Sequence, residues 1–450
     1  MSWLPLWLRT YQPTWLAGDL TAGLIVTVML IPQSLAYAML AGLPPEVGLY
    51  ASILPIVAYA LLGSSMTLAV GPVAVASLMT ASALQPLAAA GSPDYVALAV
   101  QLSLISGVML LVFGALRLGF LAYFLSHPVI SGFITGSAVL IAVGQLKYII
   151  GVKVAGSDVL ETLAGLVKAL PQTQPATLVI GVSSLLFLLL ARRYLAQGLI
   201  RVGCSAKAAD LMTKLAPMVA VIASTALVAG FKLNETAGVS VVGHVPQGLP
   251  QLALSLPNMT TLGQLWLPAL LITLIGFVES VSVAQSLALK RQQRIEPNRE
   301  LLGLGAANVA SALSGGYPVT GGFSRSVVNF AAGANTPLAG VISAALMALV
   351  IAALTGLFHY LPHAVLAATI IVAVTSLIDL KTLKEAWHYD RSDALSLLAT
   401  ALGVVTLGVE AGILTGVVLS LGVLVWRSSH PHMAVVGRVP GSEHFRNIKR

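Results

Sequence analysis

Residues 314–329 read Ser-Gly-Gly-Tyr-Pro-Val-Thr-Gly-Gly-Phe-Ser-Arg-Ser-Val-Val-Asn, and they separate two long apolar runs. The four glycines and the proline in this stretch disfavour a continuous helix. Broken backbone at membrane depth is tolerated only where protein or a water-filled cavity covers it. We therefore expect an extended entry over Gly316–Thr320. A half-helix should follow it, starting near Phe323 or Ser324 and directing its first N–H groups at an anion.

Arg325 lies inside this stretch, and it is the one Arg or Lys that we cannot place near a membrane surface. A charge at membrane depth is costly, so it usually faces a cavity and a partner. The alternative is a glycine-rich surface loop with a solvated Arg325. The flanking apolar runs leave little room for such a loop.

The composition indicates a polytopic membrane protein. The 450 residues are 57% hydrophobic and 9% charged, and the mean hydropathy is +0.91, which no soluble domain of this length shows. Long continuous apolar runs exclude a barrel. Cys204 is the single cysteine, so no internal disulfide can form and no metal or thiol site is indicated. We expect the net charge of +8 to reflect membrane topology rather than nucleic-acid binding.

Fourteen apolar segments follow an interfacial stretch, residues 1–16, in which Trp3, Trp7, Tyr11 and Trp15 are the expected headgroup anchors. Segments 3 and 10 are too short to span as full helices, and each follows a Gly/Pro entry. Paired interrupted segments of this kind indicate a transporter binding site. The approximate bounds of the segments are 18–40, 46–62, 73–88, 95–116, 124–146, 175–192, 213–231, 264–288, 301–314, 323–333, 337–358, 363–378, 394–409 and 411–427.

The distribution of basic residues predicts that both termini are cytoplasmic. With the N-terminus inside, the cytoplasmic segments hold 19 of the 24 Lys and Arg residues, whereas the outer loops hold Lys147, Lys153, Lys168 and Lys232. Residues 33–36, Gln-Ser-Leu-Ala, recur at 285–288, and the same offset of 252 carries Val73, the start of segment 3, to Arg325, near the start of segment 10. Seven segments per half then give two inverted repeats.

Glu279 is the clearest acid within an apolar segment, since the other acids lie in loops or near segment ends. A buried acid at that depth is a natural proton- or cation-coupling site. The alternative is a structural acid that hydrogen-bonds to a broken helix and never changes protonation.

Four further polar residues could contact an anion. Gln33 and Tyr37 lie four residues apart on one helix face, and both side chains can donate hydrogen bonds. Hydrogen bonding between helices explains them equally well. Ser324 and Ser326 flank the central arginine, and Ser324 could serve as an N-cap or as a donor to the substrate.

No Walker loop, dinucleotide fingerprint or cluster of His or Cys ligands occurs in the sequence, so we expect no cofactor and no metal. The apolar segments also lack a nucleophile and base that would indicate an enzyme. Energy for transport must therefore come from a gradient or from another chain.

Four ordered motifs resemble the SulP anion permeases, the family of sulfate, bicarbonate and dicarboxylate transporters related to prestin and pendrin. They begin at Leu30 (LIPQSLAYA), Gly71 (GPVAV), Ser126 (SHPVISGFITG) and Phe323 (FSRS), and the likeness covers about residues 10–450. The resemblance implies a core domain of segments 1–4 and 8–11 and a gate domain of segments 5–7 and 12–14. It also implies a homodimer and an anion held between the two half-helices.

The resemblance assigns the acid of segment 8 to Glu279, which we expect to couple protons. It assigns first-helix contacts to Gln33 and Tyr37. The substrate site that we predict in full consists of Gln33, Tyr37, Val73, Ala74, Phe323, Ser324, Arg325 and Ser326.

The C-terminal end departs from the family pattern. Residues 1–427 form the predicted transport domain, whereas residues 428–450 are expected to be a cytoplasmic linker. Within that linker, residues 435–450 resemble only the lead-in to a STAS domain.

The main hypothesis is thus a secondary active anion transporter in a bacterial inner membrane, a proton-coupled symporter with elevator-like alternating access. The alternatives are a nucleobase–proton permease of the same architecture, and a passive anion channel or exchanger. Arg325 argues against a neutral base. The sequence leaves open which anion is carried and whether sodium replaces the proton.

Overall fold

Helices make up nearly all the regular structure of this chain. The computed structural model describes residues 5–123, 127–154, 159–252, 254–389, 391–429, 436–438 and 443–447. Its helices are α1 Leu6–Arg9, α2 Leu16–Leu40, α3 Pro45–Tyr50, α4 Leu54–Leu62, α5 Ala74–Leu84, α6 Pro93–Ala115, α7 His127–Ile150, α8 Val159–Ala169, α9 Pro175–Leu190, α10 Ala196–Arg201, α11 Ala206–Lys214, α12 Ala216–Phe231, α13 Leu233–Thr236, α14 Met259–Leu289, α15 Pro297–Leu313, α16 Phe323–Ala331, α17 Leu338–Ala353, α18 His363–Thr375, α19 Leu380–Tyr389, α20 Arg391–Leu407 and α21 Val409–Ser429. Four short strands accompany them: β1 Val70–Gly71, β2 Thr320–Gly321, β3 Val436–Arg438 and β4 Phe445–Asn447.

Proline sets several helix starts. α3, α6, α9 and α15 each begin at a proline, a residue whose fixed φ suits the first turn and whose missing N–H costs nothing there. Most of the predicted segments coincide with helices, but several differ at a break or an end. Segment 2 is broken between α3 and α4, and segment 7 is broken at Leu215 between α11 and α12. Segments 3, 11 and 12 end at Leu84, Ala353 and Thr375 rather than at residues 88, 358 and 378.

Six helical stretches in the described residues are long and apolar enough to cross a membrane, and the bent pair Ala208–Lys214 and Ala216–Phe231 would make a seventh. Several predicted segments fall outside this set because their helices are short. Ala74–Leu84, Leu338–Ala353 and His363–Thr375 are apolar but have fewer than 18 residues. The count of fourteen and the inverted repeat therefore stay predictions.

The helices pack in two groups. In the first group, α15 packs on α4 and α6, α14 packs on α6, and α17 and α16 pack on α2. A Cβ added to Gly107 or Gly305 would lie within 3.0 Å of the opposite helix of the α6–α15 pair, so small residues permit this close approach. In the second group, α7 packs on α9, α18 and α20, and α20 packs on α21. Contacts of α2 with α12 and α18, and of α5 with α7 and α21, join the groups.

At the two ends of the chain, the structure buries one predicted headgroup anchor and describes only part of the predicted linker. Trp7, expected at the headgroups, is instead buried and donates from Nε1 to the carbonyl oxygen of Ala60 at 2.7 Å; Trp3 lies outside the described residues. At the other end, β3 and β4 pair antiparallel, with Val436 opposite Asn447. Residues 430–435, 439–442 and 448–450 of the predicted linker lie outside the described part of the chain, as does Ser126 of the third motif.

Candidate anion site

The two half-helices α5 and α16 start side by side because the strands before them pair. β1 and β2 are antiparallel, with Val70 opposite Gly321 and Gly71 opposite Thr320. The N–H of Gly322 continues the ladder by donating to the carbonyl oxygen of Ala69 at 3.0 Å. Two extended segments that contain glycine therefore bring two helix N-termini to the same place. The extended entry and the start of α16 agree with the prediction from residues 314–329.

Side chains from α14 and α15 form hydrogen bonds with backbone N–H and carbonyl groups of the non-helical segment before α16. The Asn308 amide donates to the Val319 carbonyl at 2.9 Å and accepts from the Val319 N–H at 3.0 Å. The Ser311 hydroxyl donates to the Tyr317 carbonyl at 2.7 Å, and Ser280 Oγ accepts from the N–H of Gly321 at 2.8 Å. Protein thus replaces the hydrogen bonds that lipid cannot supply.

Side chains of α16 form hydrogen bonds with the extended segment that precedes α5. Ser326 Oγ donates to the Gly322 carbonyl at 2.7 Å and accepts from the N–H of Ala69 at 2.9 Å. Asn329 Nδ2 donates to the carbonyl oxygen of Thr67 at 3.0 Å. Ser326 is fully buried and lies off the lining of the cavity described next. In this structure it supports the backbone, although we expected it to contact the substrate.

A cavity of about 50 Å³ lies where the two half-helices start. Its walls include the predicted residues Gln33 and Tyr37 from α2, Val73 and Ala74 from the start of α5, Phe323, Ser324 and Arg325 from the start of α16, and Glu279 from α14. The remaining wall is the end of α18, residues 373–377. Since a single water needs about 10–15 Å³, the cavity has room for a few waters or for one small anion in their place.

Arg325 is the chemically decisive group of this cavity. The residue is 3% exposed, and its Nη2 donates to the carbonyl oxygen of Pro72 at 3.0 Å. Its Nε and Nη1 have no hydrogen-bond partner among the described residues. A Cβ on Gly71 would lie 3.0 Å from Nη1, so glycine there leaves the guanidinium its space. Buried donors without a partner are costly, and an anion could supply the missing acceptors.

Glu279 faces the same cavity without pairing with Arg325. The two ion pairs found among the described residues, Lys214–Asp210 and Lys381–Glu385, lie elsewhere. The acid and the guanidinium therefore line one small cavity without an ion pair between them among the described residues.

Two other acids, Glu300 and Asp19, lie near segment ends as expected, but the structure buries both completely. Glu300, in the first turn of α15, accepts hydrogen bonds from the loop before β1 and from Tyr59. Asp19 of α2 accepts from the N–H groups of Asn335 and Thr336 and from the Thr336 hydroxyl. Their partners lie more than 200 residues away, so local sequence patterns carry no signal for them.

The model of the sulfate permease family matches residues 16–400. The chain belongs to this family. It is therefore one of a family of transporters and not of enzymes. The sulfate permease model covers both half-helices, the acid of α14 and the polar pair of α2, so the whole candidate site lies within the matched region.

Curated relatives of the sulfate permease family match nearly the whole chain. Sulfate transporter 4.1, chloroplastic, from Arabidopsis thaliana is 38% identical over 99% of this chain and 63% of its own length. A protein named "Probable sulfate transporter" from Mycobacterium tuberculosis is 37% identical over 98% of this chain and 76% of its own length. The chain thus spans somewhat under two thirds of the length of the plant relative.

Solved structures show the same fold at lower identity. SLC26A9 superposes with a TM-score of 0.89 at 23% identity, over 99% of this chain and 71% of that chain. The transmembrane domain of a cyanobacterium bicarbonate transporter, BicA, superposes with a TM-score of 0.74 at 24% identity, over 90% of this chain and 97% of that domain. The all-helical polytopic membrane fold predicted from sequence is confirmed.

Proposed function

We propose that this sulfate permease family member is a secondary active anion transporter that binds its anion between the starts of α5 and α16. One observation carries the proposal: Arg325 belongs to the lining of a small cavity, and its buried Nε and Nη1 have no hydrogen-bond partner among the described residues. The N-terminal residues of both half-helices line that cavity, so two positive dipole ends add to the guanidinium charge. A monovalent or divalent oxyanion supplies several acceptors in one ion.

Sulfate is the first substrate to test, because the relatives of highest identity described above are named as sulfate transporters. Bicarbonate, chloride and a small dicarboxylate complete the panel, since one cation with helix dipoles accepts each of them. Uptake of labelled anions into proteoliposomes tests the proposal, and uptake of none of them contradicts it. Accumulation of the anion against its own gradient, driven by an imposed gradient of the coupling ion, separates active transport from a passive channel.

Arg325→Ala tests the site itself. The variant loses a charge-assisted hydrogen-bonding partner, which contributes about 1.5–3 kcal/mol. We therefore expect anion affinity to fall by about 10- to 100-fold while the protein still folds. Arg325→Lys should keep part of the affinity, because the charge remains but the planar fork is lost.

Equilibrium binding of labelled sulfate to purified protein measures this loss. Arg294→Ala is the matched control, since Arg294 is an exposed arginine in the turn after α14. Wild-type affinity in folded Arg325→Ala protein would place the anion elsewhere.

We further propose elevator-like alternating access, in which a core domain moves against a gate domain. The core comprises α2–α6 and α14–α17, and the gate comprises α7–α12 and α18–α21. Packing of the helices in two groups supports this division. The helices α2, α5, α14 and α16 of the proposed core supply most of the cavity lining, and the end of α18 of the proposed gate closes one wall. A cross-link between α5 and α7 should then stop transport, and undiminished transport by linked protein would contradict the motion.

Glu279 is proposed as the proton-coupling residue, because it faces the cavity that holds Arg325 and makes no ion pair with it. An anion at Arg325 brings negative charge beside the carboxyl and favours its neutral, protonated form. Linkage is reciprocal, so anion affinity should strengthen as pH falls. Replacing sodium at constant pH tests sodium as the alternative coupling ion.

The setting that we propose is a bacterial inner membrane with both termini cytoplasmic, and a homodimer as the assembly. The bias of basic residues supports the orientation. Protease accessibility of tagged termini in intact cells and in inverted vesicles tests the topology, and cross-linking in the membrane tests the dimer.

A further inference from the structure

A second cavity, of about 820 Å³, lies beyond the anion site along the same two helices. The ends of α2 and α5 form one side, and the second half of α7 with the start of α21 forms the other. Val75 is the last residue of α5 that lines the anion cavity, and Leu78 is the first residue of α5 that lines the large cavity. At 1.5 Å per residue, about 5 Å of helix separates the two linings.

The material between the two cavities is apolar. Leu78 and Ile141 line the large cavity, and they pack in one hydrophobic cluster with Tyr37 and Ala74, which line the anion site. This contact joins α2 and α5 to α7, so it lies across the proposed core–gate boundary. Any motion of one helix group against the other would open or close it.

The large cavity holds two charged groups among its described lining residues, Lys147 and Glu410. Lys147 Nζ lies 3.4 Å from the carbonyl oxygen of Val154 and 5.2 Å from the Tyr148 ring, and no ion pair joins it to Glu410 among the described residues. An ammonium has three donors, so donors remain for a ligand in the cavity. The amides of Gln85 and Gln145 line the same space.

We propose that Lys147, with Gln85 and Gln145, forms a second, weak anion-binding station from which the ion passes to Arg325. The proposal rests on the proposed function, since it supplies the route to that site. An ammonium is a strongly hydrated point charge, so it suits an anion that keeps much of its water in a wide cavity. Passage requires binding strong enough to admit the ion and weak enough to release it.

Glu410 makes it possible to test the station by the direction of an effect. Its carboxylate shares the cavity with Lys147, and like charge opposes an anion there. Removing the cation and removing the acid should therefore change anion occupancy in opposite directions. A merely structural role for either residue predicts no such opposition.

The first experiment measures the local field without requiring transport. Gln85→Cys in a Cys204→Ser background places one thiol in the cavity, and its rate of labelling is compared for an anionic and a neutral methanethiosulfonate reagent. Lys147→Gln should lower the anionic-to-neutral rate ratio about 3- to 10-fold, and Glu410→Gln should raise it. Lys168→Gln, on the exposed face of α8, is the matched control and should leave the ratio unchanged.

The second experiment measures sulfate uptake from the cavity side of oriented proteoliposomes. Lys147→Gln should raise KM about 3- to 10-fold with the maximal rate kept, whereas Glu410→Gln should lower KM. Unchanged rate ratios in both variants overturn the station, even if wild-type protein transports anions normally. A shifted ratio in protein that transports no anion keeps the station and overturns the proposed function instead.

Discussion

Two acids of this chain, Glu300 and Glu279, both lie within the helical body, but their surroundings differ. Glu300 accepts four hydrogen bonds, from the Tyr59 hydroxyl at 2.6 Å, the Ser64 hydroxyl at 2.6 Å, and the N–H groups of Ser64 and Ser65 at 2.8 and 3.0 Å. Glu279 faces a cavity that also holds Arg325, without an ion pair between them. The hydrogen-bonding capacity of the Glu300 carboxylate is filled by its own protein, whereas the Glu279 carboxyl makes no ion pair among the described residues, which is why we propose a mobile partner for it.

The same contrast holds for two arginines. Arg291, at the end of α14, donates to the carbonyl oxygen of Ala334 at 2.6 Å and lies 4.5 Å from the Phe330 ring centroid. Arg325 keeps two donor nitrogens without a partner among the described residues. Burial alone therefore does not identify a functional charge in this membrane protein. A buried charge that lacks hydrogen-bond partners, as Arg325 does at two nitrogens among the described residues, is the better candidate, because its desolvation is left uncompensated.

The largest effect on stability is expected for Glu300→Ala. The substitution leaves the Tyr59 hydroxyl of α4, and the Ser64 hydroxyl and two N–H groups of the loop before β1, without their acceptor. Each unsatisfied buried donor costs about 1–3 kcal/mol. We expect the variant to lose at least about 3 kcal/mol, even if water replaces some of the partners. The thermal unfolding midpoint in detergent measures this loss, with Glu279→Ala as the matched control. Equal midpoints for the two variants would remove the distinction between the acids.

A smaller loss is expected for Tyr59→Phe. The ring keeps its packing, and only the hydrogen bond to the Glu300 carboxylate disappears while three others remain. A hydrogen bond to a charged group contributes about 1.5–3 kcal/mol, so the midpoint should fall by roughly half as much as in Glu300→Ala. Sulfate affinity should stay at the wild-type value because Tyr59 lies outside the anion cavity. A change of affinity without a change of midpoint would mean that Glu300 acts on the site and not on the fold.

The comparison also shows what the sequence could and could not reveal. The starts of both half-helices were predicted within a residue, Ala74 for α5 and Phe323 for α16, because glycine and proline breaks are local and costly in lipid. Arg325 stood out because no membrane surface was within reach. The roles of Asn308 and Glu300 could not be predicted, since their partners come from loops that only the tertiary fold brings near.

The smallest effect on stability, and the most informative effect on function, is expected for Glu279→Gln. Glutamine has the shape of the neutral carboxylic acid, and no ion pair among the described residues is lost. The free energy of unfolding should therefore change by less than about 0.5 kcal/mol. In the proposed mechanism the wild-type carboxyl must gain and lose a proton in each cycle. A glutamine cannot, so the variant should bind sulfate at high pH as wild type does only at low pH.

Two fluxes separate these properties in proteoliposomes. Exchange of labelled for unlabelled sulfate needs only the loaded carrier to move, so it should continue in Glu279→Gln. Accumulation of sulfate against its gradient, driven by an inward proton gradient, needs the proton to travel with the anion and should cease. Ser282→Ala, a substitution one turn further along α14, serves as control, because Ser282 bonds only to its own helix at the Val278 carbonyl and lies off the cavity lining. If Glu279→Gln protein concentrates sulfate as wild type does, this open acid does not carry the proton. Its difference from Glu300 would then be one of solvation alone.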